Sequence, residues 1–210
     1  MQSSFMPQPL PAPEDLGGAP LWRGLLDARA QQALMEGVAA IWAAAPPRHL
    51  TTRWGKPLSV AMSAAGARGW TSDRRGYRYA EAQDDGRAWP AIPALLLDLW
   101  AVVAPDARAP DSLLVNHYRG QARMGLHQDR DEADAGQPVL SVSLGDEALF
   151  RIGGVARGGP TASTWLRSGD VLLLAGASRL AFHGIDRIRE GSSDLVPGGG
   201  RVNLTLRVTG

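Results

Sequence analysis

The chain has 210 residues, of which 44% are hydrophobic and 20% are charged, and its formal net charge is +1. This composition is typical of a globular domain and excludes wholesale disorder, and the small net charge excludes a polycation that binds nucleic acid over its whole surface. Because cysteine is absent, the sequence also excludes disulfides, thiolate zinc sites, iron–sulfur clusters and cysteine nucleophiles.

The first 20 residues are rich in proline, which predicts an extended N-terminal arm. This segment lacks the basic start and apolar stretch of a signal peptide, and no run of about 18 apolar residues follows it. We therefore expect a cytoplasmic protein that does not enter a membrane.

Residues 21–110 are expected to form a helical and irregular N-terminal portion. Apolar side chains recur at helical spacing from Asp27 to about Ala45, where two prolines follow, so one helix is predicted there. A second helix is predicted from about Ile92 to Val103, with Pro93 in its first turn.

From about residue 111 to the C-terminus, short strands separated by turns rich in glycine, aspartate and proline are predicted. The eight predicted strands cover about 112–118, 122–127, 138–145, 147–153, 162–167, 170–175, 178–183 and 200–208. Short strands at this spacing indicate a sandwich or barrel. The predicted fold class is therefore α+β, with N-terminal helices against a jelly-roll core, or double-stranded β-helix, at residues 111–210.

Two of the four histidines and one aspartate form the strongest candidate for a metal site. His127 and Asp129 lie two residues apart in a segment predicted as extended, so their side chains point to one side. His183, at the end of the predicted strand 178–183, reaches the same place if the sheet rolls up. Two imidazoles and one carboxylate are the set that holds non-haem Fe(II). The alternative is that the triplet arose by chance and that the histidines are structural.

The last predicted strand alternates strictly between polar and apolar residues. Its polar face carries Arg201, Asn203, Thr205 and Arg207. The two arginines face either solvent or the inside of the roll, where a buried guanidinium requires an anion. A dicarboxylate ligand would satisfy both arginines, and Asn116 and Tyr118 share a face of an earlier strand from which they would donate to the same ligand.

Taken in order, these motifs resemble the AlkB family of bacterial dealkylation repair dioxygenases. The resemblance covers about residues 55–210 and rests on Asn116 to Tyr118, Leu126 to Glu132, Ser141 to Gly145, Gly169 to Val171, Ser178 to Leu180, His183 with Gly184, and Arg201 to Arg207. It implies catalytic Fe(II) bound by His127, Asp129 and His183, with 2-oxoglutarate and O2 as cosubstrates. It further implies that Arg201 pairs with the distal carboxylate of 2-oxoglutarate, that Arg207 lies near the carboxylate on iron, and that hydrogen bonds come from Asn116, Tyr118 and Asn203.

The resemblance also implies a nucleotide-recognition lid over about residues 55–90. Residues 67–79 contain four arginines and one aspartate, interleaved with aromatic residues. Such a segment either packs its aromatics into the core beneath an exposed basic loop or clamps a phosphate backbone while an aromatic ring stacks on a base. The resemblance favours the lid, with Trp70 on the base. The further substrate contacts that we expect are Tyr77, Arg78, Tyr79 and, after a glycine turn, Arg157.

Asp131 and Glu132 follow the metal triplet closely and are assigned to the substrate side. A carboxylate at this place either caps a turn or faces the substrate. Because 1-methyladenine and 3-methylcytosine are cationic near neutral pH, Asp131 is our candidate for distinguishing these lesions from normal bases. A damaged base also unstacks more readily than a normal one, which lowers the cost of flipping it out.

The implied function is oxidative demethylation of N-alkylated bases in single- or double-stranded DNA, with RNA as a further candidate, and with release of formaldehyde, succinate and CO2. We expect the enzyme to be a monomer. Two alternatives stay open. One is an Fe(II)/2-oxoglutarate enzyme for a protein or small molecule, which the arginine–aromatic lid disfavours. The other is a non-catalytic jelly-roll binding module, which the intact ligand set disfavours.

Overall fold

The computed structural model describes residues 9–210. In that part of the chain it contains two α-helices, thirteen strands and one short 3-10 helix. Residues 1–8, and with them the start of the predicted arm, lie outside the described residues. The rest of the arm contains a hairpin of Glu14–Leu16 (β1) and Ala19–Trp22 (β2), so it is part of a sheet rather than a separate extension.

Both helices form where the periodicity predicts them. The first, α1, spans Ala28–Ala44 and begins where the Asp27 carboxylate accepts a hydrogen bond of 2.7 Å from the backbone nitrogen of Ala30. The second, α2, spans Ala94–Val103 and begins directly after Pro93. Neither helix of the described chain is long and apolar enough to cross a membrane.

Seven of the eight predicted strands are confirmed to within about two residues. They are β6 (Ser112–Tyr118), β7 (Met124–His127), β8 (Val139–Gly145), β9 (Glu147–Ile152), β10 (Ala162–Leu166), β11 (Val171–Leu174) and β13 (Arg201–Arg207). The eighth prediction is wrong, because Gly176–Ser178 forms the 3-10 helix and β12 spans His183–Arg189. His183 therefore begins a strand instead of ending one. The Ser178 hydroxyl donates to the carbonyl of Ala175 at 2.9 Å and closes the helical turn.

Three further strands lie in the portion that we expected to be helical and irregular. They are β3 (Ala61–Gly66), β4 (Gly69–Asp73) and β5 (Gly76–Ala80). The small residues of β3 are buried in succession, so this strand lacks the alternation by which a strand is recognised. The fold class remains α+β, as predicted.

The strands form two large antiparallel sheets and one separate hairpin. The seven-stranded sheet has the order β1-β2-β11-β8-β13-β6-β3, and the four-stranded sheet has the order β10-β9-β12-β7. Strands β4 and β5 pair only with each other in this topology. We call this pair the lid hairpin.

The larger sheet separates two apolar clusters. One cluster joins residues of both helices, such as Leu34 and Leu99, to Val202, Leu204 and Leu206 on the apolar face of β13. The other lies between the two sheets and includes Phe150, Ile152, Leu172 and Ile185. The polar face of β13 therefore points between the sheets, as predicted for a rolled structure.

Candidate active site

A cavity of about 700 Å³ lies between the two large sheets. One wall is the polar face of β13 with the adjoining part of β6, and another is formed by the facing ends of β7 and β12. Apolar side chains complete the interior, among them Leu114, Met124, Phe150, Leu172 and Ile185. The cavity thus combines a polar wall with an apolar interior, as small-molecule sites commonly do.

Three predicted metal ligands meet inside this cavity. His127 ends β7 and His183 begins β12, and the two residues are direct partners across the antiparallel pair. Their ring centroids are 4.5 Å apart. The Nε2 atoms of His127 and His183 lie 3.6 and 3.7 Å from the two carboxylate oxygens of Asp129. One ligand atom from each residue lies within 4.8 Å of the others, so the cluster can hold a single metal ion.

The backbone orients both imidazole rings in the same way. Nδ1 of His127 lies 3.0 Å from the carbonyl oxygen of Gly125, and Nδ1 of His183 lies 3.0 Å from that of Ala181. Because a carbonyl oxygen only accepts, each Nδ1 carries the proton and each Nε2 offers its lone pair to a metal. The same arrangement fixes ring orientation in many metal sites.

The charge state of the cluster suits a divalent cation. Burial disfavours the charged form of Asp129, but the attraction of Arg207, His183 and His127 outweighs it, and the pKa of the carboxyl lies below its ordinary value. Burial lowers the pKa of His183, which favours the neutral imidazole. A carboxylate and two neutral imidazoles are the donor set of non-haem Fe(II) sites, so the residues present fit that ion.

Arg201 is buried between the sheets and lacks a carboxylate partner among the described residues. It is 1% exposed, and its Nη2 donates to the hydroxyl of Ser143 at 3.0 Å. Its Nε and Nη1 atoms have no hydrogen-bond partner in the described chain. A guanidinium held in this way requires an anion. The alternative that the arginines of β13 face solvent is wrong, since Arg207 is also only 6% exposed.

Arg207 already has anionic partners of its own. Its Nη2 lies 2.9 Å from the Asp129 carboxylate, and its Nε lies 3.0 Å from the Glu132 carboxylate. Burial opposes its charge, but the attraction of Asp129 and its neighbours raises the pKa of Arg207 above its ordinary value. Arg207 therefore holds a metal ligand in place.

The other predicted cosubstrate contacts also line the cavity. Burial raises the pKa of Tyr118 to about 12, so its hydroxyl remains a donor at neutral pH. The Nδ2 atom of Asn203 donates to the hydroxyl of Ser141 at 2.8 Å. The Oδ1 atom of Asn116 is buried without a hydrogen-bond partner in the described residues. Within that part of the chain, Asn116 thus keeps a free acceptor, and the Tyr118 hydroxyl donates only to the sulfur of Met124 at 3.8 Å.

The lid hairpin places two aromatic rings at the cavity. Trp70 and Tyr77 stack with centroids 5.4 Å apart at an interplanar angle of 25°. The indole nitrogen of Trp70 donates to the Asp131 carboxylate at 3.1 Å, so Asp131 does not merely cap a turn. The guanidinium carbon of Arg157 lies 5.1 Å from the ring centroid of Phe182, also at the cavity.

Three residues predicted to contact substrate lie elsewhere or have other partners. The register of the lid hairpin puts Arg78 on the face opposite to Trp70 and Tyr77, where it pairs with Asp73 at 2.8 Å. The hydroxyl of Tyr79 donates to Glu132 at 2.6 Å. Neither Arg78 nor Tyr79 lines the cavity.

The third of these residues, Glu132, lines the cavity, but its carboxylate is committed. The side chain is 2% exposed and is held by Arg179 at 3.1 Å and Arg207 at 3.0 Å, in addition to Tyr79. Arg179 and Tyr79 donate hydrogen bonds to it, and Arg207 forms an ion pair with it. Glu132 therefore ties the lid hairpin to the metal cluster instead of facing a substrate.

Arg179 is a residue of the site that the sequence did not indicate. It is buried, and its Nη1 donates to the backbone carbonyl of Asp129 at 2.6 Å while its Nη2 contacts Glu132. It lies inside one of the motifs that carry the family resemblance, but nothing in its neighbours along the chain shows that it reaches a loop 50 residues away.

Comparison with known proteins agrees with this geometry. The profile of the 2OG-Fe(II) oxygenase superfamily matches residues 18–207. An alpha-ketoglutarate-dependent dioxygenase AlkB homolog of Caulobacter vibrioides is 61% identical over 191 residues, which cover 90% of this chain and 87% of the relative. The alpha-ketoglutarate-dependent dioxygenase AlkB of Escherichia coli is 37% identical and covers 86% of each chain. The solved structure of OsALKBH1 superposes with a TM-score of 0.80 at 28% identity, over 94% of this chain and 100% of the other.

Proposed function

This chain belongs to the AlkB family of 2OG-Fe(II) oxygenases and is an Fe(II)- and 2-oxoglutarate-dependent dioxygenase, and from that premise we propose that it demethylates N-alkylated bases in nucleic acid. One observation carries the proposal. The stacked pair Trp70 and Tyr77, with Asp131 bonded to the indole, lies at the same cavity that holds the metal ligands. Aromatic faces and a carboxylate are what a cationic, flat base requires.

We assign the cosubstrate to the polar wall of the cavity. His127, Asp129 and His183 would hold Fe(II), and the unpaired nitrogens of Arg201 would bind the distal carboxylate of 2-oxoglutarate. Tyr118 would donate a hydrogen bond from the same wall. Asn116 and Asn203 stay predicted contacts, since the Nδ2 of Asn116 donates to Asn203 and that of Asn203 donates to Ser141 and to the carbonyl of Val142. Arg207, which lines the cavity beside Asp129, is assigned to the carboxylate next to the metal.

Together with 2-oxoglutarate and O2, the Fe(II) ion supplies the chemistry that hydroxylates a C–H bond, with succinate and CO2 as by-products. The protein contributes the geometry. The apolar interior excludes water, and Trp70 and Tyr77 orient the base so that its N-methyl group points toward the triad. A hydroxymethyl group on nitrogen is unstable and leaves as formaldehyde, which restores the base.

We assign Trp70, Tyr77, Asp131 and Arg157 to substrate binding. 1-Methyladenine and 3-methylcytosine are the proposed substrates because their positive charge suits Asp131. We do not carry forward a substrate role for Arg78, Tyr79 or Glu132, since their polar groups are committed to Asp73 and to the Glu132 network. We keep three expectations as predictions: the nucleic acid is DNA, with RNA as a further candidate; the enzyme is a monomer; and it is cytoplasmic.

The direct test measures formaldehyde released from oligonucleotides that carry one 1-methyladenine or one 3-methylcytosine, with methylated peptide as the competing substrate class. We expect turnover of the oligonucleotides alone, and loss of turnover in Asp129→Ala with the circular dichroism of the folded chain retained. Turnover of peptide but not of oligonucleotide would favour the protein-modifying alternative. A non-catalytic module is disfavoured by the intact triad and by the family.

A further inference from the structure

A short turn beside the cavity presents a tryptophan to solvent. We call residues 51–57 the tip turn. Thr51 and Pro57 form a β-bridge at its base, the backbone nitrogen of Thr52 donates to the carbonyl of Lys56 at 2.8 Å, and that of Gly55 donates to the carbonyl of Thr52 at 2.8 Å. The turn is therefore held by its own hydrogen bonds.

Trp54, in this turn, is the most exposed large hydrophobic side chain of the described residues, at 71%. The guanidinium carbon of Arg53 lies 4.2 Å from the centroid of its ring. Neither Arg53 nor Lys56 forms an ion pair within residues 9–210. An exposed indole beside two cations that have no carboxylate partner in the described chain contributes little to folding, and this combination is typical of surfaces that bind single bases and phosphates.

The tip turn is continuous with the cavity. Leu58, directly after it, lines the cavity. The Ser72 hydroxyl of the lid hairpin donates to the carbonyl of Thr51 at 2.5 Å, which ties the turn to the lid. Because Trp54 is four residues from Leu58, the chain can carry it at most about 14 Å beyond the cavity wall. This distance is comparable with the length of a stack of a few bases.

We propose that the tip turn is a second nucleic-acid contact, in which Trp54 stacks on a base outside the cavity while Arg53 and Lys56 bind adjoining phosphates. This inference rests on the proposed function. A base that enters the cavity leaves its former stacking partners exposed, and an aromatic ring on a rigid turn can cover them. The contact matters most in a duplex, because bases that flank the vacated position in a single strand are free to rearrange.

The test compares binding of a labelled duplex and the matching single strand, each with one 1-methyladenine, to the full chain with Fe(II) and 2-oxoglutarate under anaerobic conditions. Fluorescence anisotropy gives the affinities. Trp54→Ala should weaken duplex binding about tenfold, which is the scale of one lost base–aromatic stack, and weaken single-strand binding less. Trp54→Phe should restore most of the loss.

Leu97→Ala is the matched control, because Leu97 is another exposed apolar side chain, 40% exposed, on helix α2. It should leave both affinities unchanged. Lys56→Ala should lower the slope of log affinity against log salt by about one, which a structural role would not do.

The experiment distinguishes failure of the proposed function from failure of the tip turn as a nucleic-acid contact. If the unaltered chain neither binds nor demethylates the methylated oligonucleotides, the proposed function itself fails. If the unaltered chain does both and Trp54→Ala binds duplex and single strand as tightly, the proposed function stands and the tip turn is not a nucleic-acid contact.

Discussion

Arg201 is as deeply buried as the leucines around it, yet two of its nitrogens have no hydrogen-bond partner in the described chain. Burial lowers the pKa of Arg201, which shows how unfavourable its charge is at this place. A residue of this kind costs stability and is retained for what it binds. Strict alternation along β13 predicted that Arg201 and Arg207 share one face, but it left open whether that face meets solvent or the interior, because the second sheet that covers it comes from distant parts of the chain.

Replacing Arg201 separates binding from stability. Arg201→Met keeps most of the volume but removes the charge, so 2-oxoglutarate should bind roughly 10- to 150-fold more weakly while the free energy of unfolding is unchanged or rises. Anaerobic titration of the visible absorbance of the Fe(II) complex measures the first, and urea denaturation measures the second. The exposed Arg74→Met is the control. An unchanged 2-oxoglutarate affinity would contradict the assignment.

Replacing Glu132 should lower stability, in contrast to replacing Arg201, because removal of this carboxylate leaves buried positive charges without a partner. In Glu132→Gln the guanidinium groups of Arg179 and Arg207 lose a shared carboxylate in the interior, so we expect about 3–5 kcal/mol lower stability. Guanidinium denaturation checks this value. Glu190→Gln, at an exposed position, should change stability by less than about 0.5 kcal/mol. Equal stabilities of the two variants would show that the buried network contributes nothing.

At the scale of elements, the lid hairpin depends on the loop that follows the metal aspartate. Tyr79 is bonded to Glu132 and Trp70 to Asp131, so both strands of the hairpin contact the same short loop. Burial raises the pKa of Tyr79, and its hydroxyl stays protonated and keeps donating over the whole physiological range. The position of the lid is therefore set close to the metal cluster.

Loosening this contact should release the hairpin alone. In Tyr79→Phe we expect faster amide hydrogen exchange at residues 69–80 than elsewhere, and a KM for oligonucleotide that rises more than kcat falls. Tyr77→Phe is the matched control, since no hydrogen bond of the Tyr77 hydroxyl is present in the described chain. If exchange at residues 69–80 is equal in both variants, the Tyr79 contact does not hold the lid.

The elements that could be predicted are those whose own residues decide their conformation. The helices carry periodic apolar residues and flanking prolines, and β13 alternates. The strand expected at 178–183 was misplaced because Arg179 is held by groups 42 and 50 residues away, the carbonyls of Gln137 and Asp129. The partnership of Tyr79 with Glu132, 53 residues apart, was hidden for the same reason.

At the scale of the whole molecule, the two sheets contribute different halves of the site. His127 and His183 come from the four-stranded sheet, whereas Arg201 comes from the seven-stranded sheet. A metal-bound ligand that reaches Arg201 therefore spans the interior and joins the sheets. Binding should be visible as increased stability of the entire fold.

Ligand addition tests this coupling. At about one hundred times the dissociation constant, each of Fe(II) and then 2-oxoglutarate should add about 2.7 kcal/mol, which raises the Tm of a chain of this size by roughly 5–10 °C. Anaerobic scanning fluorimetry measures both increments. Asp129→Ala should remove the increment due to Fe(II), whereas Arg201→Met, at the same 2-oxoglutarate concentration, should lower only the increment due to 2-oxoglutarate, to about 0.3–1.4 kcal/mol. An undiminished increment from 2-oxoglutarate in Arg201→Met would contradict the bridging arrangement.

Within residues 9–210, the lid hairpin shares no strand pairing with either large sheet. Its sequence can therefore diverge without shifting the registers that align the two histidines and the arginine opposite them. Related enzymes with this fold can therefore evolve a different substrate preference through substitutions within residues 69–80, while the residues that carry out the oxidation stay the same.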